Sequence, residues 1–118
     1  MAGRLARGEV RICAFAAPDK KRPVVVMTRN SSLDFLATAT VVPITSTIRG
    51  VKSEVILDES DGMKAPCGVN LHNTTTVSKH RLGKRVAQLS PPRMAELCAA
   101  LRYSFGCDFI DDPTSVLH

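Results

Sequence analysis

Residues 22–27 read RPVVVM, an apolar run from Val24 to Met27 with no polar residue in it. A run this short and this rich in β-branched residues suits a strand covered on both faces. Pro23 can stand at its first residue, where a missing N–H is tolerated. Such a strand needs neighbours, and the flanking sequence supplies them. Upstream, Glu9–Phe15 (EVRICAF) alternates, with Val10, Ile12 and Ala14 on one side, as expected of a half-buried strand. A short turn, Ala17-Pro18-Asp19-Lys20-Lys21, separates the two runs. Downstream, Asn30-Ser31-Ser32 reads as a loop. Thr38–Ile44, Glu54–Leu57, Cys67–Leu71 and Arg85–Leu89 then read as further strands, and Asp58–Lys64, with its Asp-Gly, as a surface turn.

One helix is expected, over Pro91–Phe105. Ser90 suits its N-cap, Pro91 its first position and Gly106 its terminator. Met94, Leu97, Cys98, Leu101 and Phe105 make its apolar stripe. Many short strands and one closing helix imply a mainly antiparallel β barrel or open sheet of α+β class. The chain of 118 residues suits one domain over 1–118, with its core at about 7–107 and an acidic tail from Asp108.

Hydrophobic residues make up 44%, enough for a core, and no stretch approaches the ~20 apolar residues of a membrane span. The N-terminus has no long apolar segment, so neither a signal peptide nor membrane attachment is expected and the cytoplasm is the default location. Cys13, Cys67, Cys98 and Cys107 form no CxxC, so zinc-ligand spacing is absent and reduced thiols are expected. Cys13 and Cys98 fall in apolar patterns and are expected to be buried. The net charge of +5 is uneven: residues 1–52 hold nine Lys/Arg against three acids, the remainder seven against eight. A basic first half favours a polyanionic partner.

Residues 41–50, VVPITSTIRG, end a strand on Thr45, Ser46 and Thr47, with Arg49 close by. By spacing alone this is an ordinary hydroxyl-stabilised turn. It is also a set of groups suited to a phosphate or a 2′-hydroxyl. Lys20, Lys21 and Arg22 stand where another strand begins, so a rigid element would hold the Arg22 guanidinium at the rim, ready for two parallel hydrogen bonds to a phosphate.

Several blocks together resemble the MazF/PemK (Kid) family of toxin–antitoxin ribonucleases, of mycobacterial type. They are RGEV at 7–10, RPVVVMTRN at 22–30, VVPITSTIRGVKSEVIL at 41–57 and CGVNLHNTTTVSKHRLGKRVAQLSPPRMAELCAALRYSFGC at 67–107. The resemblance implies an SH3-like barrel, a homodimer, and an endoribonuclease that needs neither metal nor cofactor. Such an enzyme cuts single-stranded RNA to a 2′,3′-cyclic phosphate and a 5′-hydroxyl. A cognate MazE-type antitoxin inhibits it, and any DNA contact runs through the antitoxin complex. The family's catalytic Arg and Thr map onto Arg22 and Thr45. Lys20, Lys21, Ser46, Thr47, Arg49, His72 and Asn73 are the candidate RNA contacts.

The sequence departs from the family pattern in three places. The loop before Arg22 is short, with Asp19 its only acid and no catalytic role given to it; Arg11 stands where an aromatic is frequent; and His72-Asn73 replaces a common acid–Gln pair. His72 suits stacking on a base or proton transfer, and equally an exposed strand end. Arg49 is left between phosphate, antitoxin and water. Two other readings share the fold: a non-catalytic barrel that binds nucleic acid or antitoxin, and a CcdB-like gyrase poison.

Overall fold

The computed structural model describes residues 4–15 and 20–107. The acidic tail, Asp19 and most of the loop before Lys20 lie outside them. The strands are β1 (Glu9–Ala14), β2 (Lys21–Val26), β3 (Thr38–Thr45), β4 (Glu54–Leu57), β5 (Cys67–Asn70), β6 (Thr75–Ser78) and β7 (Leu82–Gln88). Helix α1 is Asn30–Leu33 and helix α2 is Pro91–Phe105. The seven strands are antiparallel in the order β4-β5-β3-β2-β1-β7, with β6 beside β3.

β2 is the interior strand that its valines imply. Val25 faces one core, with Val10, Val42, Ile44, Val55, Leu57, Val69 and Leu97. Val24 and Val26 face a second, with Cys13, Leu33, Ala39, Val41 and Leu82. Strand alternation divides a continuous apolar run between two buried faces.

β3 changes partner along its length. Thr38–Val41 pair with β6, while Ile44 and Thr45 pair with Val69 and Gly68 of β5. Pro43, which has no N–H, falls where that edge passes between partners. α2 covers the first core. It packs against β4 and the 3₁₀ turn Leu71–Asn73, and Met94 near its start lies beside Gly8. It thus spans from the β1 edge to β4, and the sheet with its helix forms one barrel-like body. Ser90 caps α2 by accepting from Arg93 N–H, and Gly106 ends it at φ 74°.

Several expectations change. β1 is not half-buried with one wet face: Cys13 is buried on the side opposite Val10, and Glu9 and Arg11 are only 4% and 2% exposed. These two make a buried ion pair at 2.9 Å. Arg11 also donates to the carbonyls of Gly83 and Arg4. A charge is tolerated inside when it is paired and hydrogen-bonded in this way. Asn30–Leu33 is a helical turn rather than a loop, because Leu33 turns inward to seal the second core. Phe105 leaves the helical stripe, 65% exposed, and Ala100 takes the buried position; Cys98 is half-buried. β7 starts earlier than expected, at Leu82, which belongs to the second core. Among the described residues no helix is long and apolar enough to cross a membrane.

Candidate functional site

The β2–β3 ladder pairs Val26 with Val41, Val25 with Val42 and Val24 with Pro43. The ladder ends at Val24 and Pro43; Arg22 and Thr45 each lie two residues beyond that last pair, at the same end of their strands. Both side chains then share the face of Val24 and Val26. Over the valines that face is sealed by Leu33, Val77, Leu5 and Phe15. At Arg22 the cover has ended: Arg22 is exposed and Thr45 half-buried. Among the described residues Arg22 has no ion-pair or side-chain hydrogen-bond partner, so its fork of donors faces solvent.

Thr45 Oγ1 accepts the N–H of Thr47 at 3.2 Å. The hydroxyl-stabilised turn is therefore real, and it leaves the hydroxyl proton free to donate outward. Ser46, Thr47 and Arg49 follow on the exposed loop. On the other side of Arg22, β1 contributes Cys13, its partner in the ladder. Burial pushes the Cys13 thiol up, and the nearby Arg81 cation pulls it part of the way back. Arg81 donates to the carbonyl of Ala14 at 3.2 Å, so a second guanidinium stands at the end of β1.

The other expected contacts are spread more widely. Lys20 is exposed just before β2. Lys21 pairs with Ala14, and strand alternation turns it to the face opposite Arg22. His72 and Asn73 are exposed in the 3₁₀ turn after β5, where His72 N–H donates to Asn70 Oδ1 at 3.0 Å. Gly68 pairs with Thr45, so β5 carries His72 and Asn73 away from that end of β3. The register does not gather them with Arg22 and Thr45.

Two residues at the site are not found by reading the sequence. Arg81 sits in a basic run, KHR, that looks like plain surface; only the pairing of Cys13 with Leu82 brings it to the end of β1. Glu54 reads as the first residue of an ordinary strand. Its carboxylate accepts the N–H of Gly50 at 2.8 Å and that of Arg49 at 3.1 Å. Among the described residues no group of three or more His, Cys, Asp or Glu gathers as a metal site would.

The architecture is shared with a class of small bacterial toxins. The Mycobacterium tuberculosis toxin MazF-mt6 superposes with a TM-score of 0.76 at 32% identity, over 83% of this chain and 96% of that one. A mycobacterial endoribonuclease solved in complex with its cognate antitoxin superposes with a TM-score of 0.78 at 25% identity, over 86% and 95%. Residues 6–105 match the family of PemK-like, MazF-like toxins of type II toxin–antitoxin systems, and the chain belongs to that family. The probable endoribonuclease MazF5 of M. tuberculosis H37Rv is 41% identical over 103 residues, 86% of this chain and 94% of that protein.

Proposed function

We propose that this chain is the toxin of a type II toxin–antitoxin pair, an endoribonuclease that cuts single-stranded RNA at short sequences without a metal ion. The observation that supports the reading is the β2–β3 ladder, which brings Arg22 and Thr45, each two residues past its last pair, to the same end of the sheet face, where Arg22 is exposed. Relatives named as endoribonucleases support it.

The ribose 2′-oxygen attacks the adjacent phosphorus. A P–O2′ bond forms and the P–O5′ bond breaks. The 2′ proton leaves to solvent or a base, and the departing 5′-oxygen takes a proton from water. The products are a 2′,3′-cyclic phosphate and a 5′-hydroxyl. Arg22 stabilises the charge that builds on the non-bridging oxygens, and Thr45 donates its hydroxyl proton to one of them. Arginine stays protonated, so Arg22 is the electrostatic partner and not the base. Lys20, Ser46, Thr47, Arg49 and Arg81 extend the cationic and hydroxyl surface on which the RNA strand lies. His72 and Asn73 meet bases further along the strand.

The toxin works in the cytoplasm as a homodimer. An acidic MazE-type antitoxin lies over the same surface and excludes RNA, and DNA is reached only through that complex. Membership of the MazF-like family favours this reading over gyrase poisoning. Purified Arg22→Ala, with a native circular dichroism spectrum, is expected to lose cleavage of single-stranded RNA, while EDTA leaves the wild type active. Undiminished cleavage by Arg22→Ala overturns the reading, and loss of wild-type activity in EDTA overturns its metal-free form.

A further inference from the structure

The face that carries Thr45 holds one more feature, and it lies in the backbone. Gly68 of β5 pairs with Thr45 on one edge and with Ile56 of β4 on the other. Thr45, the missing side chain of Gly68, and Glu54, two residues before Ile56, therefore point to the same side. A Cβ on Gly68 would stand 2.7 Å from Glu54 Oε2 and 3.2 Å from the carbonyl oxygen of Thr47. The first distance is below any normal contact, and the second admits none without a shift. An alanine there would push the Glu54 carboxylate aside and press on the Thr47 carbonyl.

Through that gap the Glu54 carboxylate reaches the loop after Thr45. Oε1 accepts the N–H of Gly50 at 2.8 Å, and both oxygens lie within 3.2 Å of Arg49 N. Gly50 takes a φ of 71°, so the chain turns away just after its N–H has met the carboxylate. The loop is fixed at two ends: Thr47 N–H on Thr45 Oγ1, and Arg49 and Gly50 N–H on Glu54.

The placing is electrostatically odd. A carboxylate on a surface meant for a polyanion repels it. A neutral side chain would serve RNA binding better, so the acid has another use. Its strong, charge-assisted bonds to two main-chain N–H groups supply one.

We propose that Glu54, seated over Gly68, is a positioning residue of the RNA-cleaving site: it holds the 46–50 loop so that the Thr45 hydroxyl stays aimed at the phosphate. This rests on the function proposed above. Glu54 itself touches neither RNA nor the reacting atoms. It trades some RNA affinity for geometry, so its loss separates the two kinetic constants.

The test is steady-state cleavage of a defined single-stranded RNA by Glu54→Gln, Gly68→Ala and the double variant, with Arg22→Ala alongside. Glu54→Gln is expected to lower kcat about 10- to 100-fold, with KM unchanged or lower because a negative charge has gone. Gly68→Ala displaces the same carboxylate and is expected to lower kcat similarly. The double variant is expected to be no worse than the poorer single one, since both act through one contact. Amide hydrogen exchange at Arg49 and Gly50 is expected to accelerate in both variants, a readout independent of catalysis. Wild-type kcat in Glu54→Gln, or additive losses in the double variant, overturns the proposal, and so does unchanged exchange at Arg49 and Gly50. If Arg22→Ala cuts normally, the function proposed above has failed. If Arg22→Ala is dead while Glu54→Gln is fully active, that function stands and only the positioning role falls.

Discussion

Arg11 and Arg22 lie on adjacent strands and on one face of the sheet, yet they have opposite fates. Arg11, paired with Val24 in the ladder, is 2% exposed and held by Glu9 at 2.9 Å. Arg22 pairs with Cys13, two residues further along β1, and stands in solvent. The inner arginine holds the structure together: through Gly83 and Arg4 it ties β7 and the N-terminal segment to β1. The outer one keeps its donors free for a ligand. What separates them is the nearest carboxylate. A cation enclosed with its own acid cannot serve an outside anion, and a cation at the rim with no acid bridged to it among the described residues can.

The largest expected effect breaks the inner side of that comparison. Glu9→Ala leaves the Arg11 charge buried without its acid and removes the acceptor for the Ala6 N–H at 2.8 Å. Removing one partner of a buried ion pair costs about 3–5 kcal/mol. Urea unfolding followed by circular dichroism should show that loss, while cleavage per folded molecule is retained. A loss below about 1 kcal/mol would mean that water takes over the vacated role; the exposed Arg85, 3.7 Å from Glu9, is a second cation and cannot.

The outer side breaks in the reverse sense. Arg22→Ala should leave the unfolding midpoint close to that of the wild type and lower kcat about 10²- to 10³-fold, the usual cost of losing one preorganised donor to a developing oxyanion. Arg22→Lys keeps the charge but not the fork, and should recover only part of the rate. A large change in stability with Arg22→Ala would make the two arginines alike and erase the distinction.

Thr45 sharpens the same comparison at lower amplitude. Thr45→Ser keeps the hydroxyl and should stay within a few-fold of wild type. Thr45→Val loses both the outward proton and the acceptor for Thr47 N–H, and should cost about 10- to 100-fold in kcat, the range for a hydrogen bond to a charged group. Equal activity in the two variants would show that the Thr45 position matters for its shape alone.

The strands and helix α2 are legible in the sequence because their signals are local. β-branched runs place β2 and β3, and the cap, stripe and terminator of α2 fall on Ser90, Met94–Leu101 and Gly106. β6 is missed because TTVS is short, has no fully buried residue and lacks alternation; it forms only because β3 offers it an edge. Arg11 reads as a surface charge because nothing local says that Glu9, two residues away, will be buried with it. The same limit applies at the site. Arg22 and Thr45 can be named from residue type and family resemblance, but their standing at the same end of the sheet face depends on a strand register. Glu54 needs a contact among β4, β5 and the loop after β3, and its mark in the sequence is Gly68, a glycine inside a strand. Glycine in that place signals close approach of another group.

The smallest effect tests how far the ligand surface extends beyond Arg22. Arg81 is bound to the Ala14 carbonyl by one N–H and otherwise exposed, so it stands between the two arginines in kind: anchored, but not consumed. If it also neutralises a phosphate, Arg81→Ala should weaken binding of an uncleavable 2′-O-methyl RNA and reduce the slope of log Kd against log salt by about 0.7, the value for one contact on a single strand. The loss should be similar for unrelated sequences, because a phosphate contact carries no base information. An unchanged slope with a lowered unfolding midpoint would place Arg81 with Arg11, as a clasp on the end of β1. An unchanged slope and midpoint would confine the cationic surface to the β2 and β3 side of the site. A reduced slope extends that surface across three strands, wide enough to hold the RNA on both sides of the phosphate that faces Arg22.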